Sequence, residues 1–225
     1  MEMAPFRLSG TVYGTLLNHR TAVAALEGKM TLPPYNAPPR APVLYLKPRN
    51  TLAASGDAVE IPAATAAAGA AAELEAAACL GIVIGRTACN VSEALALEHV
   101  AGFLIVNDVS IPHPDYYRPS VRYKARDGFC PLGPRVTARV LVANPDALAI
   151  RTYVDGVLVQ TMSTADLIRS LARLLADVTE FMTLAPGDVL AAGAAAPAPR
   201  VRAGQTVAME ADALGTLTNR FAGGA

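Results

Sequence analysis

The sequence predicts a single α+β domain, mostly β, spanning residues 1–225. Three observations lead there. Short apolar or β-branched runs recur between glycine and proline punctuation, one longer stretch carries leucines at helical spacing, and no repeat or linker divides the chain. With 225 residues, 52% of them apolar and only 17% charged, the chain can bury a sizeable core and is too hydrophobic to be disordered. Alanine supplies 45 of those residues, so the apolar fraction overstates the bulk available to that core.

The elements follow in order. Six of the seventeen prolines fall between Pro33 and Pro48, which marks a loop interrupted by one strand at 43–47. Alternation along that strand puts Val43, Tyr45 and Lys47 on one face and Leu44 and Leu46 on the other. The run Gly81-Ile82-Val83-Ile84-Gly85 reads as a short buried strand, and Ser92 as the cap of a helix running through His99 and stopping near Gly102. Residues 103–109, 136–142 and 149–154 read as strands, with Asp155-Gly156 as a hairpin turn. The longest predicted helix is 164–182. Leu167, Ile168, Leu171, Leu174, Leu175, Val178 and Phe181 form its apolar face, Ser163 and Asp166 resemble a capping box, and Pro186-Gly187 closes it.

Charge and cysteine usage exclude some classes. Nineteen basic side chains balance nineteen acidic ones, so no net positive field favours nucleic acid or an anionic membrane surface. Cys79, Cys89 and Cys130 are odd in number and lack metal-binding spacing, which predicts reduced thiols and a cytoplasmic setting. Residues 1–20 lack the basic flank and apolar run of a signal peptide. The alanine-rich 63–80 stretch contains Glu73 and Glu75 and is too weakly hydrophobic to span a bilayer. There is no dinucleotide fingerprint, P-loop or serine nucleophile elbow.

Chemistry is concentrated in 108–127, which holds seven charged residues and three of the seven tyrosines. A cationic, aromatic loop launched from an apolar strand suits a small anionic ligand, and equally a solvated surface loop. Arg118, Arg122 and Tyr116 are the candidates for substrate carboxylates. Glu73 and Glu75 would share a face on a strand and could grip one hard cation with Asp108, as magnesium or manganese requires. On a helix they would point apart, and the surrounding alanines favour the helix. His19, His99 and His113 are scattered, and a Cys130–His113 nucleophile pair is less economical than a packed cysteine.

A series of phrases resembles the fumarylacetoacetate hydrolase family, from about Gly14 to the final strands. In order they are Leu17-Asn18-His19-Arg20, Ala37-Pro38-Pro39, Lys47-Pro48-Arg49-Asn50-Thr51, Ile84-Gly85-Arg86-Thr87-Ala88, Val106-Asn107-Asp108-Val109-Ser110 and Tyr116-Tyr117-Arg118-Pro119. Lys124 to Gly133, Ser163 to Leu167 and Pro186-Gly187-Asp188 complete the set. Within the family the nearest likeness is the amino-terminal half of the isomerase/decarboxylases of 4-hydroxyphenylacetate catabolism. The resemblance implies a mixed β-sandwich roll, dimeric, with Mg2+ or Mn2+ held by three carboxylates, acting on small di- or tricarboxylates. In this subgroup the implied reactions are decarboxylation of a 2-oxo-ene tricarboxylate and isomerisation of 2-hydroxyhepta-2,4-diene-1,7-dioate, through a metal-stabilised enolate. By position Asp108 matches the aspartate ligand, Lys124 and Asp127 match catalytic residues before the Pro-Leu-Gly turn, and Lys47 matches the lysine of a Lys-Pro pair that binds substrate.

Three departures stand beside the match. Ala22 and Ala25 occupy the places of an acid/base histidine and glutamate. Ala77 and Cys79 occupy the places of the metal-binding Glu-x-Glu, with Glu73 and Glu75 four residues early. Gly193-Ala194-Ala195 replaces Gly-Thr-Pro. Two readings remain open: a metal enzyme in which Glu73, Glu75 and Asp108 converge, and a metal-poor companion that pairs with itself or with a homologous second half.

Overall fold

The computed structural model describes residues 10–33, 36–63, 72–113 and 121–224. An eight-stranded mixed sheet carries β1 (Val12–Leu16), β2 (Val43–Lys47), β3 (Leu52–Ala54), β5 (Glu73–Ile84), β6 (Val100–Ser110), β7 (Cys130–Ala138), β10 (Val189–Ala194) and β11 (Arg200–Arg202). Its order is β2-β1-β10-β5-β6-β7-β3, with β11 also paired to β5. A five-stranded sheet runs β4 (Ala58–Ile61), β13 (Gly215–Gly223), β12 (Thr206–Ala211), β8 (Ala149–Val154), β9 (Val157–Ser163). The helices are α1 (Arg20–Ala24), α2 (Val121–Lys124) and α3 (Leu171–Thr179). The mostly-β α+β class predicted from sequence is the one observed.

Connectivity forces the large sheet to curl. β2 and β3 lie at opposite ends of the strand order, yet only residues 48–51 separate them. Laid flat, seven strands would put the outer two roughly 29 Å apart at the usual interstrand spacing. The connection from Lys47 to Leu52 can span at most about 18 Å even fully extended. The sheet therefore rolls until its ends meet, and the face inside the roll is buried. Val12, Cys79, Val83, Leu104, Val106, Cys130, Val189 and Ala191 form a core there. The opposite face packs on the five-stranded sheet and α3 through residues such as Leu80, Phe103, Ile150, Leu174, Met209 and Phe221.

Several sequence expectations change. The alanine-rich stretch after Glu73 is not helical; it opens a twelve-residue strand that also includes 81–84. Between β6 on one side and β10 with β11 on the other, the small side chains of Ala76, Ala77 and Ala78 are buried, so sheet pairing overrides helix propensity. The 164–182 helix shortens to Leu171–Thr179. Ser163 caps only a 3-10 turn, Thr164–Asp166. The next residues are drawn into pairing with the chain near Asn18, where the Ile168 amide donates to the Asn18 carbonyl and the Arg169 amide to its Oδ1. Ser170 then accepts from the Arg173 amide and caps the true helix. Residues 93–99 are 3-10 rather than α, without a side-chain cap from Ser92, and the strand expected at 136–142 starts earlier, at Cys130, and ends at Ala138. The β8–β9 hairpin is as expected, with Asp155 and Gly156 both at positive φ.

Gly14 makes room for a side chain that matters below. It pairs with Tyr45 across β1 and β2, and a Cβ at Gly14 would lie 2.0 Å from Tyr45 Cζ. Gly14→Ala is expected to lower stability by about 1–3 kcal/mol through overpacking. Thermal melts of Gly14→Ala, Tyr45→Ala and the double variant should show the double well short of the sum, because removing the ring removes the clash.

Candidate functional site

Inside the roll, strand alternation collects the polar residues on one face. Asp108 on β6 pairs with Ala77 on β5, so it shares its face with Cys79 and Val106. Tyr45 and Lys47 on β2 point to the same interior after the sheet has curled, and Lys124 closes the group from the end of α2. Lys47 Nζ lies 2.7 Å from Asp108 Oδ1, and Lys124 Nζ lies 2.6 Å from Oδ2. The Tyr45 hydroxyl donates to Oδ2 at 2.5 Å, and Lys124 Nζ sits 5.0 Å from the centre of the Tyr45 ring.

Lys47 is held in a cage of oxygens. Its ammonium donates to the carbonyls of Val109 at 2.8 Å, Lys124 at 3.1 Å and Phe129 at 2.8 Å. With those three donors spent, Oδ1 of Asp108 receives charge contact but no hydrogen bond. Side-chain exposure rises from 2% at Lys47 through 5% at Asp108 to 11% at Lys124, so Lys124 is the member nearest the surface.

The electrostatics follow from burial and pairing. Burial works to raise the Asp108 carboxyl, but the Lys124 and Lys47 charges outweigh it and hold the group well below the usual carboxylate range. Burial lowers the Lys47 ammonium against the pull of Asp108, with Lys124 adding repulsion. Burial, reinforced by the Asp108 charge, raises the Tyr45 phenol well above its usual value. The Cys79 thiol is likewise raised, and Cys130 is pushed up to about 12, both chiefly by burial. The group thus brings together two lysines, one aspartate, one tyrosine and two cysteines.

The other sequence candidates fall elsewhere. Tyr116 and Arg118 lie outside the described residues. Arg122 is exposed on α2, its carbonyl accepting from Arg126 Nε. Asp127 is exposed and accepts from Asn50 Nδ2 at 2.7 Å, joining its turn to the residues after β2. Glu73 and Glu75 do share one face of β5, as a strand requires, but each faces an arginine across the β5–β11 ladder. Glu73 Oε1 is 2.6 Å from Arg202 Nη2, and Glu75 Oε1 is 3.2 Å from Arg200 Nη2. The expected convergence of Glu73, Glu75 and Asp108 is not found: Glu75 pairs opposite Ser110, a diagonal neighbour of Asp108 at roughly 7–8 Å. His113 stacks on Tyr123 at 4.1 Å rather than approaching Cys130 as a base. Tyr45, Cys79 and Cys130 were missed as site residues; the one signal for Tyr45 was its alternation with Lys47.

A divalent metal needs several hard oxygen donors. Here both Asp108 oxygens carry ammonium groups, and the positions across the ladder offer the methyl of Ala77 and a protonated thiol at Cys79. The residues present do not fit a divalent cation. Among the described residues, no three His, Cys, Asp or Glu side chains gather into a ligand set.

The fumarylacetoacetate hydrolase C-terminal family model matches residues 11–222, and the chain belongs to that family. It is similar to the 4-hydroxyphenylacetate degradation bifunctional isomerase/decarboxylase of Escherichia coli, 35% identical over 212 residues, which cover 94% of this chain and 47% of that protein. The chain thus spans about half the length of that relative. Among solved structures it resembles 5-carboxymethyl-2-hydroxymuconate delta-isomerase from Mycobacterium smegmatis, with a TM-score of 0.80 and 29% identity over 97% of this chain and 80% of that one. It also resembles maleylpyruvate hydrolase from Sphingobium sp. SYK-6 in complex with manganese(II) and pyruvate, with a TM-score of 0.77 and 25% identity over 96% and 71% of the two chains.

Asp108→Asn tests the energetics of the centre. It leaves two ammonium groups in the roll without an anion, at a cost of about 3–5 kcal/mol near neutral pH. Asp108 has a lowered folded-state value, so its contribution is present above the unfolded value of about 4 and is lost as pH falls through the folded value. Urea unfolding of both proteins should show a gap at neutral pH that narrows below about pH 4.

Proposed function

We propose that this chain, read as one domain, is a half-length subunit of a catabolic isomerase/decarboxylase of the 4-hydroxyphenylacetate type. Its substrates are small 2-oxo or 2-hydroxydiene di- and tricarboxylates. The reactions are isomerisation of 2-hydroxyhepta-2,4-diene-1,7-dioate, decarboxylation of its tricarboxylate precursor, or both. Within that assembly it is the metal-poor half, and the carboxylate set for Mg2+ or Mn2+ lies on a homologous second half. Family membership and the length ratio to the E. coli relative support the class and the half-subunit reading. One observation carries the metal-poor assignment: Asp108 is taken up by Lys47 and Lys124 while Ala77 and Cys79 stand beside it.

The second reading, a self-sufficient metal enzyme, draws on Glu75 lying on the same face as Asp108, two residues along the ladder. It requires Glu75 to leave Arg200 and Asp108 to leave both lysines.

Metal titration with a parallel assay separates the two. The purified, metal-stripped chain is expected to show no saturable one-site binding of manganese at millimolar concentration and no manganese-dependent loss of dienol absorbance from 2-hydroxyhepta-2,4-diene-1,7-dioate. Manganese-dependent turnover by the chain alone, abolished in Asp108→Ala, overturns the metal-poor assignment.

A further inference from the structure

Among the described residues the buried centre carries more positive charge than it neutralises. Among the described residues Asp108 is the one carboxylate in ion-pair contact with Lys47 or Lys124, so two ammonium groups face one carboxylate. A surplus charge held inside a protein is costly unless an anion joins it. The two lysines are not equivalent. Lys47 has spent its three donors on the carbonyls of Val109, Lys124 and Phe129 and is closed to any ligand. Among the described residues Lys124 Nζ donates to Asp108 Oδ2, which leaves two of its three N–H groups for another acceptor, and its side chain is the most exposed of the three.

We propose that the Lys47 and Lys124 ammonium groups take the place of a divalent cation in this half, so that Lys124 binds the carboxylate of a small 2-oxo acid or enolate with no metal present. This rests on the metal-poor reading above, and departs from it by giving the half a ligand of its own. Lys47 supplies a fixed counter-charge that keeps Asp108 ionised and oriented. Lys124 shares its charge between Asp108 and the incoming anion, and Tyr45 backs it with the face of its ring. The ligand class follows from the chemistry. A single ammonium with two free donors suits a carboxylate with an adjacent oxygen, whose two acceptors lie close together.

The test is calorimetric titration of the metal-stripped full chain with oxalate, a planar anion with adjacent oxygens, in the presence of EDTA. Saturable binding of one oxalate per chain is expected, unchanged within about twofold by adding manganese in place of EDTA and weakened by salt as a charge contact must be. Lys124→Met should weaken it at least about tenfold, the loss of one charge-assisted contact. That variant leaves a neutral Lys47–Asp108 pair and is expected to keep its melting temperature, which is measured alongside. Lys124→Arg keeps the charge and should retain binding. Oxalate binding only with manganese, or equal binding to folded Lys124→Met, overturns the inference. Manganese-dependent turnover by the chain alone overturns the metal-poor assignment instead, so the two failures are distinct.

Discussion

The oxygen cage around the Lys47 ammonium is the contact on which the rest of the site depends. Three backbone carbonyls and one carboxylate, drawn from β6, α2 and the approach to β7, converge on a nitrogen delivered by β2. Those elements lie far apart in the strand order and meet only because the large sheet rolls. Burial of a lysine is costly, and here each donor and the charge find partners, which is the condition under which such burial is tolerated. The same contact holds Asp108 ionised, and Asp108 in turn gathers Lys124 and the Tyr45 hydroxyl.

The arrangement also explains how a family member can keep its roll while changing its centre. In an antiparallel ladder a ligand set is a matter of register: residues two apart share a face, and residues four apart lie too far along the strand to meet the same ion. Glu73 and Glu75 satisfy the first condition, but Glu73 lies four positions from Ala77, the residue opposite Asp108, and Glu75 is turned to an arginine. They pair with Arg202 and Arg200 on β11, where they tie a short edge strand to the central one. Beside Asp108 the strand has alanine and cysteine, small enough to admit two lysine side chains into space that larger acids would occupy. Gly14 contributes in the same way, because only a residue without Cβ lets the Tyr45 ring lie against β1.

Much of the fold was legible in sequence where local chemistry decides it. The β2 strand, the Asp155-Gly156 turn and the β8 strand follow from alternation, proline placement and positive-φ residues, all short-range properties. The misreadings share one cause. Residues 72–80 have helical composition but sit between strands, and 167–170 have a helical pattern but donate to the chain near Asn18. In both places partners far along the chain supply the backbone hydrogen bonds, and local propensity is too weak to resist them. The same holds for the site. Lys47 and Asp108 stand out individually as polar residues at the ends of apolar runs and Lys124 as part of a charged segment, whereas their mutual contact leaves no mark on spacing.

The sequence by itself determined the class of fold, the family phrases and the residues that carry charge near the long strands. It also determined that Tyr45 and Lys47 share a face, because a two-residue period is a property of any extended chain. Only the tertiary structure decided that this face looks into the roll, that Asp108 is claimed by two ammonium groups, and that Glu73 and Glu75 belong to an ion-pair ladder. The physical reason is that strand pairing and sheet curvature join residues tens of positions apart, and the free energy that selects those partners comes from burial of the whole interior rather than from any local run of side chains.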